Sequence, residues 1–297
     1  MKNRKGKLNN NWIPPLTIPE IDFIMEEMNK GKKSESAIDK HHKPNVRIHE
    51  KINSASEQIK NLFEDIRKEE KIQLETVEGI KAEIVPIIEE AAKNPDIYYL
   101  FEEMQEKNEY TYKHNIGVGI IATYLGTKLG LSKESLSDLT LAAILHDVGK
   151  TRIPERLLEK PGKLTATEYD EIKRHTIYGY ELLKSIPGIP PSIALTALQH
   201  HEREDGQGYP HKLKGSNIYY LSKIVAIADV FHAMSSDRVY HQAMPFYKVI
   251  EQMNRDVFGK FNPEMLLVFI NKLMGTLVGK KVLLTNQQIG TIIMINP

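Results

Sequence analysis

From Ile52 onward the chain repeats apolar residues at three- and four-residue steps, through Ile52, Ala55, Ile59, Leu62, Phe63 and Ile66, then through Val77, Ile80, Ile84 and Ile88. That period puts side chains on one face of a helix. The spacing therefore predicts two helices here, and its continuation past residue 95 predicts a mainly α fold. Pro86 cannot donate a main-chain hydrogen bond, so it is expected to kink or interrupt the second helix. The pattern changes near the C-terminus. There "KKVLLTNQQIGTIIMI" sets two β-branched runs around a polar turn, as in a small β-hairpin. Residues 1–48 show little periodicity, with an Asn run, Pro14-Pro15 and a Lys-rich stretch holding His41 and His42. An arm or small subdomain is expected there, with both histidines facing solvent.

The predicted helices end in unusual residues. "LSKESLSDLTLAAILHDVGK" opens with Ser132 as an N-cap, carries Leu136, Leu139 and Ala143 on one face and delivers His146 and Asp147 where the helix stops. "KLTATEYDEIKRH" offers a capping box, Thr165 with Glu168, and ends on His175. "PPSIALTALQHHE" closes on His200 and His201. Of the 11 histidines, 8 lie between His114 and His241. A single buried histidine is ordinarily a core residue with a hydrogen-bond partner; a run of them at helix ends asks for another explanation.

Composition narrows that explanation. The chain has no cysteine, which excludes disulfides and thiolate metal sites together, so a metal must be held by imidazole and carboxylate. Net charge is +1, so no global field draws a nucleic-acid polymer or an anionic membrane. The basic N-terminus lacks a following apolar stretch, and "IGVGIIATYLG" is too short to span a bilayer, so a cytoplasmic protein without a membrane span is expected. Asp147, with two oxygens, can bridge two cations where a neutral imidazole binds one. His200 and His201, about 100° apart on a helix, converge on a metal pair only where the helix ends or kinks. With His114, His175 and Asp229 the chain offers five imidazoles and two carboxylates on five separate helices. That set suits Fe, Mn, Co or Ni, and also Zn.

"HDVGK" (146–150) followed by "HHEREDGQGYP" (200–210) resembles the HD-GYP family of bacterial cyclic di-GMP phosphodiesterases. The likeness runs from Asn108 to Asn262 through "YTYKH", "KPGKLTATEYDEIKRH", "IADVFHAMSSDRVY" and "FGKFNPEM". The resemblance implies an HD-type helical bundle holding two or three metals, where a metal-bridging hydroxide attacks a phosphodiester. Carried onto this chain, it makes His114, His146, Asp147, His175, His200, His201 and Asp229 the metal ligands. Asp147 and Lys150 become the catalytic pair, with the Lys150 ammonium on a phosphate oxygen. Lys150, Gly208, Tyr209, Arg238 and His241 face substrate. Gly206 and Gly208 permit backbone conformations other residues resist, and Tyr209-Pro210 stiffens the loop. Glu202 and Asp205 are expected to anchor it.

The chain departs from the family pattern where His232 stands for a common Asp, and where His241 stands for Lys or Arg. Both changes are expected near the substrate, with weaker or pH-shifted activity as the consequence. In family members with three metals, a glutamate four residues before the first histidine serves the extra site; here that residue is Tyr110, and Glu109 points about 100° away. A dinuclear centre is therefore expected, with Fe or Mn first among its metals. The expected activity is hydrolysis of cyclic di-GMP to linear pGpG, on to GMP only slowly, lowering the level of a second messenger. The alternatives are a hydrolase of another cyclic dinucleotide, or a weakly active module that binds metal and nucleotide and signals through a protein partner. The division expected is an N-terminal region over 1–95 with a regulatory role, a catalytic domain over 96–274 and a hairpin extension over 275–297. Expected partners are cyclic di-GMP and a second copy or a signalling protein, with no nucleic-acid polymer.

Overall fold

The computed structural model describes residues 46–94, 97, 110–236, 244, 246–283 and 288–295. His41, His42, Glu109, Arg238 and His241 lie outside them, as does the side chain of Tyr110. The described helices are α1 (Val46–Glu69), α2 (Leu74–Gly79), α3 (Val85–Ala92), α4 (Tyr110–Lys128), α5 (Lys133–Leu145), α6 (Glu155–Leu158), α7 (Ala166–Lys173), α8 (His175–Lys184), α9 (Pro191–Gln199), α10 (Tyr220–Ser235), α11 (Phe246–Arg255) and α12 (Pro263–Gly275). A 3₁₀ turn, Val148–Arg152, follows α5. The expected hairpin pairs β1 (Lys281–Leu283) with β2 (Ile289–Thr291), Val282 opposite Gly290.

Local signals read from the sequence act as their chemistry requires. Ser132 Oγ accepts from the Ser135 N–H at 3.2 Å. Thr165 and Glu168 make both halves of the capping box. Pro86 stands in the first turn of α3, and the chain between α2 and α3 widens into a π-helical segment, Ile80–Ile84. The proline thus begins a new helix where its missing N–H costs nothing.

Helix α4 is the axis of the assembly and packs against α1, α3, α5, α10 and α12. Its buried residues are nearly consecutive, Ile116, Val118, Ile120, Ile121, Ala122, Tyr124 and Leu125, the mark of a helix covered on every side. Glycine lets α5 approach: a Cβ on Gly126 would stand 2.5 Å from Leu139 Cδ2. The α4–α5 seam also buries a hydrogen bond between Thr123 Oγ1 and Thr140 Oγ1 at 2.7 Å. Helices α1 to α3 contribute Ile59, Phe63, Ile80 and Ile88 to the same continuous core.

The 3₁₀ turn is pressed on α8. A Cβ on Gly149 would lie 1.9 Å from the His175 carbonyl oxygen and 2.3 Å from Gly179 N, so only glycine permits this backbone contact. It brings Asp147, just before the turn, beside His175. From the other side, Arg67 of α1 donates from Nη1 to the Ile153 carbonyl at 3.1 Å and from Nη2 to that of Lys150 at 3.4 Å. No described helix is long and apolar enough to cross a membrane.

Candidate metal centre

The seven residues read as ligands converge. His114 comes from α4, His146 and Asp147 from the end of α5, His175 from the start of α8, His200 and His201 from the end of α9, and Asp229 from α10. Their ligand atoms form two clusters, Asp147 with His175, His200 and His201, and His114 with His146 and Asp229. Asp147 lies between them. Its Oδ1 is 3.3 Å from His175 Nε2 and 3.8 Å from His200 Nε2, while its Oδ2 is 3.4 Å from His146 Nε2 and 3.9 Å from His114 Nε2. Asp229 also touches both clusters, with Oδ1 3.1 Å from His114 Nε2 and Oδ2 3.9 Å from His201 Nδ1.

Backbone carbonyls fix the orientation of three imidazoles. His146 Nδ1 donates to Ala143 O at 2.7 Å, His175 Nδ1 to Ile172 O at 2.7 Å and His200 Nδ1 to Ala197 O at 2.9 Å. Each residue reaches back three positions at a helix end, and each leaves its Nε2 lone pair turned toward Asp147. The Nε2 atoms of His175 and His200 then face one another at 3.3 Å, two acceptors without a proton to share. His146 Nε2 and Asp147 Oδ1 are buried and have no hydrogen-bond partner. Orphaned acceptors are costly in a protein interior, and converging ones are what divalent cations satisfy.

Protonation states agree with that use. Burial pushes His175 down to about 4 and lowers His114 and His200, so these rings are neutral near pH 7. His201 shifts the same way through burial, although 26% of its side chain meets solvent. Burial opposes ionisation of Asp147, but the Lys150 ammonium and the neighbouring His146 override it and hold the carboxyl well below its ordinary range. Burial likewise opposes charge on Asp229, and the His114 contact overrides it. His146 differs: burial would lower it, yet the charge of Asp147 raises it. A cation on His146 competes with that proton.

The partly exposed members mark the open side. Lys150, 28% exposed, donates to Asp147 Oδ2 at 2.5 Å, so its ammonium rests on the central carboxylate. Tyr209 stacks on His201 with centroids 4.7 Å apart, and Lys173 Nζ stands 5.8 Å over the same phenol ring. Glu202 holds the loop by accepting from the His211 and Leu213 N–H groups at 2.7 and 2.9 Å. Asp205 accepts from the Gln207 N–H at 2.9 Å and pairs with Arg203 at 2.6 Å. Gly206 has φ +76°, and a Cβ on Gly208 would lie 2.5 Å from His201 O and Arg203 N. Both glycines are thus required, the first by its conformation and the second by crowding.

His232, expected near the substrate, packs against a residue of the cluster. It is buried behind His114, its Nδ1 3.0 Å from His114 Nδ1. Helix periodicity carried the signal: His232 follows Asp229 by three residues and so shares its face. Arg67 and Lys173 also escaped sequence reading, because nothing local distinguishes them from other surface cations.

The chain is similar along much of its length to known proteins. It is 29% identical over 235 residues to "Cyclic di-GMP phosphodiesterase PA4108" of Pseudomonas aeruginosa, covering 79% of this chain and 56% of the relative. It is 38% identical over 165 residues to "3'3'-cGAMP-specific phosphodiesterase 1" of Vibrio cholerae, covering 55% of this chain and 38% of the relative. The chain thus spans about half or less of the length of these relatives. Its fold is that of Bd1817, an HDG"Y"P protein from Bdellovibrio bacteriovorus, with a TM-score of 0.63 at 19% identity over 88% of this chain and 82% of that one. The family model described as HD domain matches residues 99–265, more than half of the sequence, and the chain belongs to the HD domain family.

Proposed function

We propose that the chain is a metal-dependent phosphodiesterase that hydrolyses cyclic di-GMP to linear pGpG. The observation that carries this reading is the position of Asp147, with one oxygen toward each cluster of imidazoles. His114, His146, Asp147, His175, His200, His201 and Asp229 would hold a pair of divalent cations, which would supply electrophilic charge to the attacking and departing oxygens of an in-line displacement. Five imidazoles with two carboxylates suit Fe, Mn, Co, Ni or Zn rather than Mg alone, and the family resemblance puts Fe or Mn first. Residues 96–274 form the catalytic domain in this reading, with 1–95 as a regulatory region and 275–297 as an extension.

The chain's own residues have separable tasks. Asp147 and Asp229 bring negative charge to the centre of the site and remain ionised there. Lys150, partly exposed beside Asp147, would offer its ammonium to a non-bridging phosphate oxygen. Gly208 and Tyr209 shape the edge against which the nucleotide rests. Arg238 and His241 join them on the strength of the family resemblance. Water adds across one P–O3′ bond, opening the ring and leaving a 5′-phosphate and a free 3′-hydroxyl. The neutral phenol of Tyr110 in place of a carboxylate favours two metals over three, and accumulation of pGpG over GMP.

A second reading, hydrolysis of a mixed guanine–adenine cyclic dinucleotide, is favoured by the 38% identity to a relative named for 3'3'-cGAMP. Manganese-loaded protein incubated with each dinucleotide, with products separated by chromatography, decides between them. Faster conversion of cyclic di-GMP to pGpG supports the first reading. Faster loss of 3'3'-cGAMP replaces it with the second, and no conversion of either overturns both.

A further inference from the structure

Among the described residues, three lysines lie over a tyrosine one helical turn before them: Lys128 over Tyr124 at 5.0 Å, Lys173 over Tyr169 at 5.1 Å and Lys184 over Tyr180 at 5.2 Å. Residues four apart on a helix are neighbours, so such contacts need no further explanation. Of these three, Lys173 also reaches a second ring. Its Nζ stands 5.8 Å over Tyr209, in the loop after α9, and that phenol stacks on His201 of the cluster with centroids 4.7 Å apart. The ammonium at the end of α7 is thus carried, through one phenol ring, to the edge of the site. Its ionic partner is Asp170 at 2.6 Å, whose side chain is 69% exposed. An exposed pair on one helix contributes little and yields to a stronger acceptor. An ammonium carries three N–H donors, so a single carboxylate leaves donors free, and aromatic faces attract its charge without neutralising it. Two rings that hold the side chain before a ligand arrives lower the entropy lost on binding.

We propose that Lys173 binds the phosphodiester of the cyclic dinucleotide that is not being cleaved, an inference that rests on the hydrolase reading above. A cyclic dinucleotide has two phosphodiester groups, each with one negative charge, on opposite sides of its ring. The cluster and Lys150 receive one of them. The other then points away from the reacting centre and still needs a cation. Lys150 is anchored on Asp147 and Lys173 on Tyr209, which makes them separate points of attachment. Other cations around the loop are more firmly engaged: Lys160 with Glu168, Arg203 with Asp205 and Lys223 with Glu204, whose carboxylate side chains are 25%, 22% and 18% exposed against 69% for Asp170. A phosphodiester has the same charge whatever base it carries, so this contact reads no base. It selects instead for two phosphodiesters in one molecule.

Lys173→Gln and Lys173→Arg in the full 297-residue chain test this. Manganese-loaded proteins are assayed on cyclic di-GMP and on bis(p-nitrophenyl) phosphate, which has one phosphodiester and no second charge. Lys173→Gln should raise KM for cyclic di-GMP about tenfold with kcat within about twofold, and leave turnover of bis(p-nitrophenyl) phosphate as in wild type. Lys173→Arg should restore most of the affinity. Equal losses on both substrates would assign Lys173 to holding Tyr209 on His201, and unchanged kinetics on both would remove it from the site; either result overturns the subsite. Calorimetry with the bisphosphorothioate analogue of cyclic di-GMP, which resists hydrolysis, measures binding by itself, and the same weakening of about tenfold is expected in Lys173→Gln. That weakening in a chain that hydrolyses neither substrate sinks the hydrolase reading and leaves the subsite standing. Equal binding by wild type and Lys173→Gln, or none by either, overturns the subsite.

Discussion

Lys150 Nζ stands 2.5 Å from Asp147 Oδ2, the oxygen that also faces His146 and His114. The central carboxylate therefore has a cation of the protein's own within reach, on the partly exposed side of the site. Lys150→Ala is expected to retain bound manganese at pH 7, because the imidazoles and Asp229 remain, and to lose about a hundredfold in kcat as phosphate loses its ammonium partner. Elemental analysis beside steady-state kinetics checks this, and loss of manganese in step with rate would move Lys150 into the metal-holding set.

Asp147→Asn removes the negative charge from between the two clusters and leaves both under-ligated. Metal affinity should fall by at least about a hundredfold, and hydrolysis with it. Full metal content and full rate in this variant would rule out the proposed centre.

The buried histidines give the metal-free protein a definite pH dependence. His175 falls from 6.5 to about 4 on folding because burial disfavours its charge. As pH drops below 6.5 the unfolded chain takes up this proton first, so stability present at higher pH is lost progressively down to about pH 4. His200 and His201 act in the same sense, and His146, with its raised value, in the opposite one. Urea midpoints of chelator-treated protein should decline between pH 7 and pH 5, and His175→Gln should flatten the curve. A wild-type midpoint that holds constant over that range contradicts the burial of these rings.

Gly208→Ala is expected to displace the loop that follows His201, since the new methyl would overlap His201 O, Glu202 Cα and Arg203 N, each 2.5 Å away. Overpacking of this kind costs about 1–3 kcal/mol, and here it should also weaken metal binding through His201. Thermal melting with and without manganese measures both effects, and an unchanged melt in both forms would mean the loop can move aside freely.

Arg67→Ala should lower kcat severalfold with little change in KM, because it frees the carbonyls of Lys150 and Ile153 from α1 without touching substrate. Arg67→Lys should restore part of the rate. Equal loss in both, accompanied by a lower melting temperature, would assign Arg67 to stability alone.

The residues that converge in the two clusters were legible because the chain has no cysteine and repeatedly ends helices in His or Asp, which leaves few chemical readings. Helices α1 and α5 were legible from apolar spacing, and the hairpin from its β-branched runs. What escaped was pairing across the fold. His114 and His232 are 118 residues apart, and Arg67 lies 83 residues from Lys150. Periodicity places a side chain on a face of its own helix and says nothing of which distant helix that face will meet. Hence His232 reads as a substrate-side change, although its ring is buried against that of His114. The central position of α4 was hidden for the same reason: an apolar run too short for a bilayer does not announce which neighbours enclose it.

Helix α1 has 24 residues and is therefore about 36 Å long. Its C-terminal end is clasped to the turn that carries Lys150, by Arg67 and by Arg152 donating to the Glu70 carbonyl at 3.2 Å. Its buried face runs from Ile48 through Ile52, Ala55, Ile59, Phe63 and Ile66, so the clasp ties the turn beside Asp147 to a rod seated in the core along its length.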